Sequence, residues 1–311
     1  MIRKFLIFLT LFLLPTIILS QEIKILYKVN DEIITSYDVS KEIEFMKLNS
    51  DLSKVDYKTI FTIAENSLIR EKIKKDEVEK KFEINYEIES NSNQLNALIK
   101  NFYLKIGFDT EGEFTEHLNK RNIGLSEFKI KFIIEKYWNK IIFEKYISLV
   151  DIDEEKIKSK VQNMIDNNSK IQNYFLSEIV FSEKDKNQNE KKLSEIKNSI
   201  ENVGFKETAI LYSLSETAKI GGVIGWVNEN QISNLILDKI KFLEIGKISE
   251  PIITSGGTII LKVENKELIE EKIDKKKEIE KMITFEKNRI LNEYSTLYFK
   301  ELENKAYVKK L

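Results

Sequence analysis

Apolar positions recur at helical spacing through most of the chain and at strand spacing in only a few places. Residues 23 to 29 (IKILYKV) alternate loosely and end at Asn30-Asp31, a turn signal, and Glu32-Ile33-Ile34 can return as a second strand. Thr35 and Asp38 have the spacing of a capping box, and Val39, Ile43 and Met46 follow on one helical face. From Tyr57 to about residue 81 the period continues through Ile60, Ala64, Leu68 and Ile73. The pattern predicts further helices over 87–106, 110–120 (capped by Thr110 with Glu113), 126–149 and 153–168. Up to that point the chain reads as nearly all helix.

The pattern changes at Ile171. Residues 174–181 are apolar on both faces, which predicts a central strand. Helices follow over 190–202, 205–212 and 233–242, with strands over 223–227 and 258–264. Seven of the ten glycines lie between Gly204 and Gly257. Three of them fall in the stretch IGGVIGW (220–226), as either a loop around a binding site or a plain hairpin turn. After Lys266 a helical stripe returns through Ile269, Ile273, Met282, Ile290, Tyr294 and Leu297, and Ala306-Tyr307-Val308 can close as a strand. A long helix with one apolar stripe cannot bury itself. It is expected to pack back on the N-terminal helices and leave the glycine-rich unit as an insertion. The expected fold class is therefore α+β: a helical N-terminal module and a C-terminal helix forming one body, with an inserted α+β domain.

Composition changes this picture in three places. Arg3 and Lys4 precede an apolar run from Phe5 to Leu19 that ends in Ser20, the layout of a secretory signal peptide over 1–20, with an uncleaved anchor as the alternative. The rest of the chain offers no comparable run, so no stable membrane insertion is expected once the signal is removed. Lys and Arg (50) nearly balance Asp and Glu (51), so no global field draws in nucleic acid. Cysteine is absent, which excludes disulfides and thiol catalysis, and His117 is the only histidine. His117 reads as a surface residue, no metal site is expected, and no nucleotide motif or cofactor signature is present.

The order of landmarks from Ile171 to Asn265 resembles the parvulin family of peptidyl-prolyl isomerases. YFLSEIVF comes first, then Tyr212-Ser213, Gly221-Gly222 with Gly225-Trp226, the run Gly246-x-Ile248-Ser249-x-Pro251, and the closing strand IILKV. The flanks, VNDEIITSYDVSKEIEFM and the terminal KAYVKKL, resemble the SurA-like periplasmic chaperones. That resemblance implies a chaperone module over 21–170, a parvulin-like domain over 171–265, and a helix and strand over 266–311 that rejoin the N-terminal module. It places an apolar proline seat at Ile224, Ile232 and Ile236, with Trp226, turned into the fold, as a fourth substrate-binding residue. Core packing is the competing reading of the three isoleucines.

The polar half of a parvulin site is largely replaced. Its two histidine positions correspond to Glu178 and Ile259, the cysteine or aspartate position to Ser215, and a serine to Gly256, while Thr254 keeps its type. The expectation is weak or absent isomerase activity. If buried, Glu178 should show a raised pKa or find Ser215 or a backbone donor. The implied function is an ATP-independent chaperone of the periplasm for unfolded outer-membrane β-barrel precursors or other secreted polypeptides. Two alternatives are an active isomerase assisting secreted proteins and an inert module docking one partner. Phe102, Tyr103, Phe128, Phe132 and Tyr137 are candidates for a client groove.

Overall fold

The computed structural model describes residues 23–166, 171–183, 185–269 and 274–311. The expected signal peptide over 1–20 lies outside the described residues. The chain opens with the hairpin β1 (Ile25–Val29) and β2 (Glu32–Thr35), turned by Asn30 at φ 50°. Helices α1 (Ser36–Met46), α2 (Tyr57–Lys81), α3 (Tyr86–Ser90), α4 (Asn93–Lys105), α5 (Glu111–Asn119), α6 (Leu125–Tyr146) and α7 (Glu154–Asp166) follow. The capping boxes at Thr35–Asp38 and Thr110–Glu113 both form. Val39, Ile43, Ile60, Ala64, Leu68 and Ile73 share one buried cluster, and Met46 is packed against it. The single helix expected over 87–106 is two, because the Ser92 hydroxyl caps α4 at Leu95 N and starts a new helix there.

The second unit is an antiparallel sheet of order β4-β3-β6-β5, with β3 (Ile171–Phe181), β4 (Val223–Asn228), β5 (Ile252–Thr254) and β6 (Gly257–Ile269). As expected of a strand apolar on both sides, β3 is central. Tyr174 and Leu176 pack on one face with Val227, Leu261 and Val263, beside α10 (Asn234–Ile240). Ile179 and Phe181 pack on the other with Ile196 of α8 (Lys186–Val203) and with Phe205 and Ala209 of α9 (Phe205–Tyr212). Strand β6 runs on to Ile269, opposite Ile171, so Ile269 belongs to the sheet and not to the C-terminal helix. Ile273 lies outside the described residues.

The last helix, α11 (Lys275–Lys305), returns along the N-terminal body, and β7 (Val308–Lys310) adds to β1 to give a sheet of order β2-β1-β7. Tyr27 faces Lys310 and Val29 faces Val308 across this pairing. Asn30 links the hairpin to the chain end: its N–H donates to Tyr307 O at 2.8 Å, and its side-chain oxygen accepts from Tyr307 N at 2.9 Å. Met282 and Tyr294 of the expected α11 stripe pack against the body, but at the C-terminal end Tyr298 is buried in place of Leu297, which is 44% exposed. Trp138 of α6 is fully enclosed, stacks on Tyr298 at 5.6 Å, and donates through Nε1 to Ser295 Oγ at 2.8 Å. Tyr146 and Tyr294 stack at 4.6 Å one helical turn or so further along. Among the described residues no helix is long and apolar enough to cross a membrane.

Removing an enclosed tryptophan leaves a cavity and a hydroxyl without its donor. Trp138→Ala should lower unfolding stability by about 3–5 kcal/mol, read from urea midpoints by far-UV circular dichroism. A loss below about 1 kcal/mol would show that α11 is held elsewhere.

Candidate functional site

The loop between α9 and β4 builds the site around Glu178. Ser215 caps a short 3-10 turn, Glu216–Ile220, which ends at Gly221 with φ 76°. Gly222 follows at φ 82°, and its carbonyl accepts the Glu178 N–H at 2.8 Å while its own N–H donates to Thr217 O at 2.8 Å. A Cβ on Gly222 would meet Glu178 O at 2.3 Å and Ala209 Cβ at 3.0 Å. Two left-handed glycines in succession thus let the loop lie directly against the β3 backbone. Gly225, at φ 100°, sits at the register shift where β4 pairs with β3.

This close approach brings two hydroxyls onto one carboxylate oxygen. Glu178 Oε1 accepts from Ser215 Oγ at 2.6 Å and from Thr217 Oγ1 at 3.0 Å. Burial pushes the Glu178 carboxyl above its ordinary range, and the two hydroxyl donors offset part of that shift. Both outcomes expected of a buried glutamate here occur together. Thr217 escaped the sequence reading, although a Ser-x-Thr run just before Gly-Gly signals a hydroxyl-lined turn.

Ile224, Ile232 and Ile236 do converge. Ile232 is buried in the cluster of Tyr174, Leu176, Leu261 and Val263, and Ile224, Ile236 and Ile259 pack against it. The Leu176–Val263 and Glu178–Leu261 pairings put Glu178 on this face of the sheet, with Ile259 one pair further along, opposite Val180. Thr254 is occupied by the β5–β6 hairpin, where its hydroxyl donates to Gly257 O at 2.9 Å.

Three expectations need correction. Trp226 does not turn into the fold: it pairs with Phe175 on the opposite face of the sheet from Val227, lies edge-on to that ring at 5.4 Å, and is 44% exposed. Strand alternation carries it away from the isoleucines. Of the five groove candidates, Phe102, Phe128 and Phe132 line a cavity between the helical body and the loop carrying Ser215, whereas Tyr103 and Tyr137 do not; Tyr103 is buried in the aromatic core of the helical module and Tyr137 is half-buried beside it. His117 is no plain surface residue either. It is half-buried, its Nε2 lies 3.1 Å from Leu48 O, its ring is 4.8 Å from that of Phe108, and burial pulls its pKa down.

With this geometry in view, residues 171–265 match the family model of the rotamase, PPIC-type PPIASE domain. Over 177 residues the chain is 25% identical to the chaperone SurA of Hahella chejuensis, covering 55% of this chain and 41% of that protein. The chain therefore matches less than half the length of that relative. Among solved structures it is similar to a SurA-like chaperone of Campylobacter jejuni (16% identity, 92% of this chain and 98% of the other, TM-score 0.35). It is also similar to the peptidylprolyl isomerase PrsA of Bacillus anthracis (18% identity, 76% and 97%, TM-score 0.30). Neither score is high enough to equate the folds.

A carboxyl whose pKa is raised on folding holds its proton at pH values where the unfolded chain has lost it. Its contribution to stability is complete below the ordinary glutamate value of about 4.3 and falls as pH rises through the raised value. Glu178→Gln keeps an oxygen acceptor and removes the titration. The stability of the variant relative to the native chain should therefore increase with pH across that window, measured by urea unfolding at a series of pH values. A difference that stays constant from pH 4 to pH 8 would show that Glu178 titrates normally.

Proposed function

We propose, from the premise that residues 171–265 are a rotamase domain of the PPIC type, that this chain is an ATP-independent periplasmic chaperone. Its clients are unfolded outer-membrane β-barrel precursors, and the PPIC-type domain holds polypeptide more than it isomerises it. The similarity to SurA supports the chaperone class. The observation that carries the binding role is the segment from α10 to β5. Leu235, Phe242, Ile245 and Ile253 are 55%, 87%, 57% and 79% exposed along it. Large apolar side chains exposed at such density along one segment favour contact with apolar polypeptide. Barrel precursors, whose strands alternate apolar and polar residues, present such surface until they insert.

The reading of weak isomerisation rests on what surrounds the seat. Rotation about an X-Pro bond needs an environment that stabilises the twisted amide over both planar forms, across a barrier of about 18–20 kcal/mol. An apolar cluster beside a hydroxyl-bound carboxyl offers a less polar medium. It offers no imidazole pair, because the two corresponding positions are Glu178 and Ile259. The isomerase reading keeps one observation in its favour: a carboxyl held above its ordinary range can donate a hydrogen bond when protonated.

Two assays separate these readings. Without nucleotide, the chain should suppress aggregation of a urea-diluted β-barrel precursor, and Phe242→Ser with Ile253→Ser should weaken suppression several-fold without lowering the unfolding midpoint. A protease-free assay on a proline-containing tetrapeptide should show little acceleration. Turnover comparable to that of ordinary parvulins, or unchanged suppression by the double variant, would contradict the proposal.

A further inference from the structure

A cavity of about 230 Å3 lies where the helical body meets the loop that carries Ser215. Its apolar wall is aromatic: Phe45 of α1, Phe102 of α4, Phe128 and Phe132 of α6, and Phe299 of α11. Its polar wall is a set of ion pairs. Lys131 bridges Glu42 and Glu71, Lys74 is 3.0 Å from Glu135, and Lys219 approaches Glu135 at 4.0 Å. Glu135 is held down at a pKa of about 2, overcoming its burial, chiefly by Lys74 and Lys219. Glu216 accepts a hydrogen bond from Asn139 at 2.8 Å.

One cation stands outside these pairings. Arg70 lines this cavity and also a neighbouring one of about 430 Å3 that reaches Phe181, Lys300 and Glu303. It is half-buried, and burial pulls its guanidinium pKa below the ordinary value. Glu42, Glu303 and Glu135 attract it through space. Yet among the described residues it makes no hydrogen bond within 3.5 Å and no ion pair within 4.0 Å, unlike each lysine around the cavity. A guanidinium that lines a cavity without a direct partner is open to an anion, and its planar fork matches a carboxylate in a bidentate pair.

We infer that this cavity is a binding site for the C-terminal residue of an unfolded polypeptide, with the terminal carboxylate paired to Arg70 and an apolar or aromatic side chain against the phenylalanines. The inference rests on the polypeptide-binding reading above and names one chemical feature of the client. The volume supports a chain end over a longer segment: drug-sized pockets run to about 300–1,000 Å3, so this one takes a single large side chain and its carboxylate. The aromatic wall selects against a polar last residue. The lysines do not compete for the carboxylate, because each is already paired with glutamate.

The test uses the whole chain and a fluorescein-labelled glycine-serine peptide ending in isoleucine-phenylalanine, as the free acid and as the C-terminal amide. Fluorescence anisotropy should show the acid binding about tenfold or more tighter than the amide, the range expected of a charge-assisted pair. Arg70→Gln should abolish the preference for the acid, and Arg70→Lys should retain part of it. Equal affinity of the two peptides for the native chain overturns the inference whether or not the variants fold. Displacement of the acid peptide by N-acetyl-phenylalanine at equal concentration would also overturn it, assigning the site to a small carboxylic acid. Aggregation suppression by the same preparation is the separate measure: suppression with no preference between peptides leaves the chaperone reading standing and removes only the chain-end site.

Discussion

The architecture depends on the chain end coming back to its beginning. Asn30 at the first hairpin turn both donates to and accepts from Tyr307, β7 pairs with β1, and α11 lays Tyr298 and Ser295 against Trp138. None of these contacts is local, and each requires the intervening residues to leave the body and return to it. Val161 and Met164 of α7 share a cluster with Ile171 at the start of β3 and Met282 of α11, so exit and re-entry lie side by side. The α+β unit is thereby held by its two ends. Its loop carrying Ser215 and Lys219 reaches the body across the cavity that Arg70 lines.

Within that unit a steric constraint and an electrostatic one share the same glycine. Gly222 brings the loop to the β3 backbone because no Cβ fits beside Glu178 O, and that approach delivers Ser215 and Thr217 to the glutamate side chain. Two neutral donors suit a carboxyl that burial already biases towards its protonated form, since neither brings a positive charge. The result is a half-buried carboxyl whose two hydroxyl donors come from one loop.

Much of the fold was legible because it follows from periodicity. Val39, Ile43, Ile60, Ala64, Leu68 and Ile73 are buried as their spacing requires, and the double-sided apolarity of residues 174–181 makes β3 central. The failures have physical causes as well. Strand β5 is only three residues long and carries no period of its own. The Trp226 side chain faces away from the isoleucines because strand alternation, and not its apolar character, decides its face. Tyr103 and Tyr137 read as groove residues alongside Phe102, Phe128 and Phe132 because sequence spacing cannot separate a ring that lines a cavity from one packed beside it. Arg70 was invisible for another reason: in a chain with 50 basic residues, nothing local distinguishes an arginine that lines a cavity without a direct partner.

The central claim is that the N-terminal helices, α11 and the β2-β1-β7 sheet form one self-sufficient body from which the PPIC-type unit projects. Excising residues 171–269 and joining the ends with a short glycine-serine linker tests it directly, by urea unfolding followed by circular dichroism and tryptophan fluorescence. The remaining chain keeps Trp138, its only tryptophan once Trp226 is removed, as a reporter of the α6–α11 contact. The account predicts a single cooperative transition, coincident by both probes, with the tryptophan shielded from solvent in the folded state. A gradual transition, or a tryptophan already exposed without urea, would contradict it.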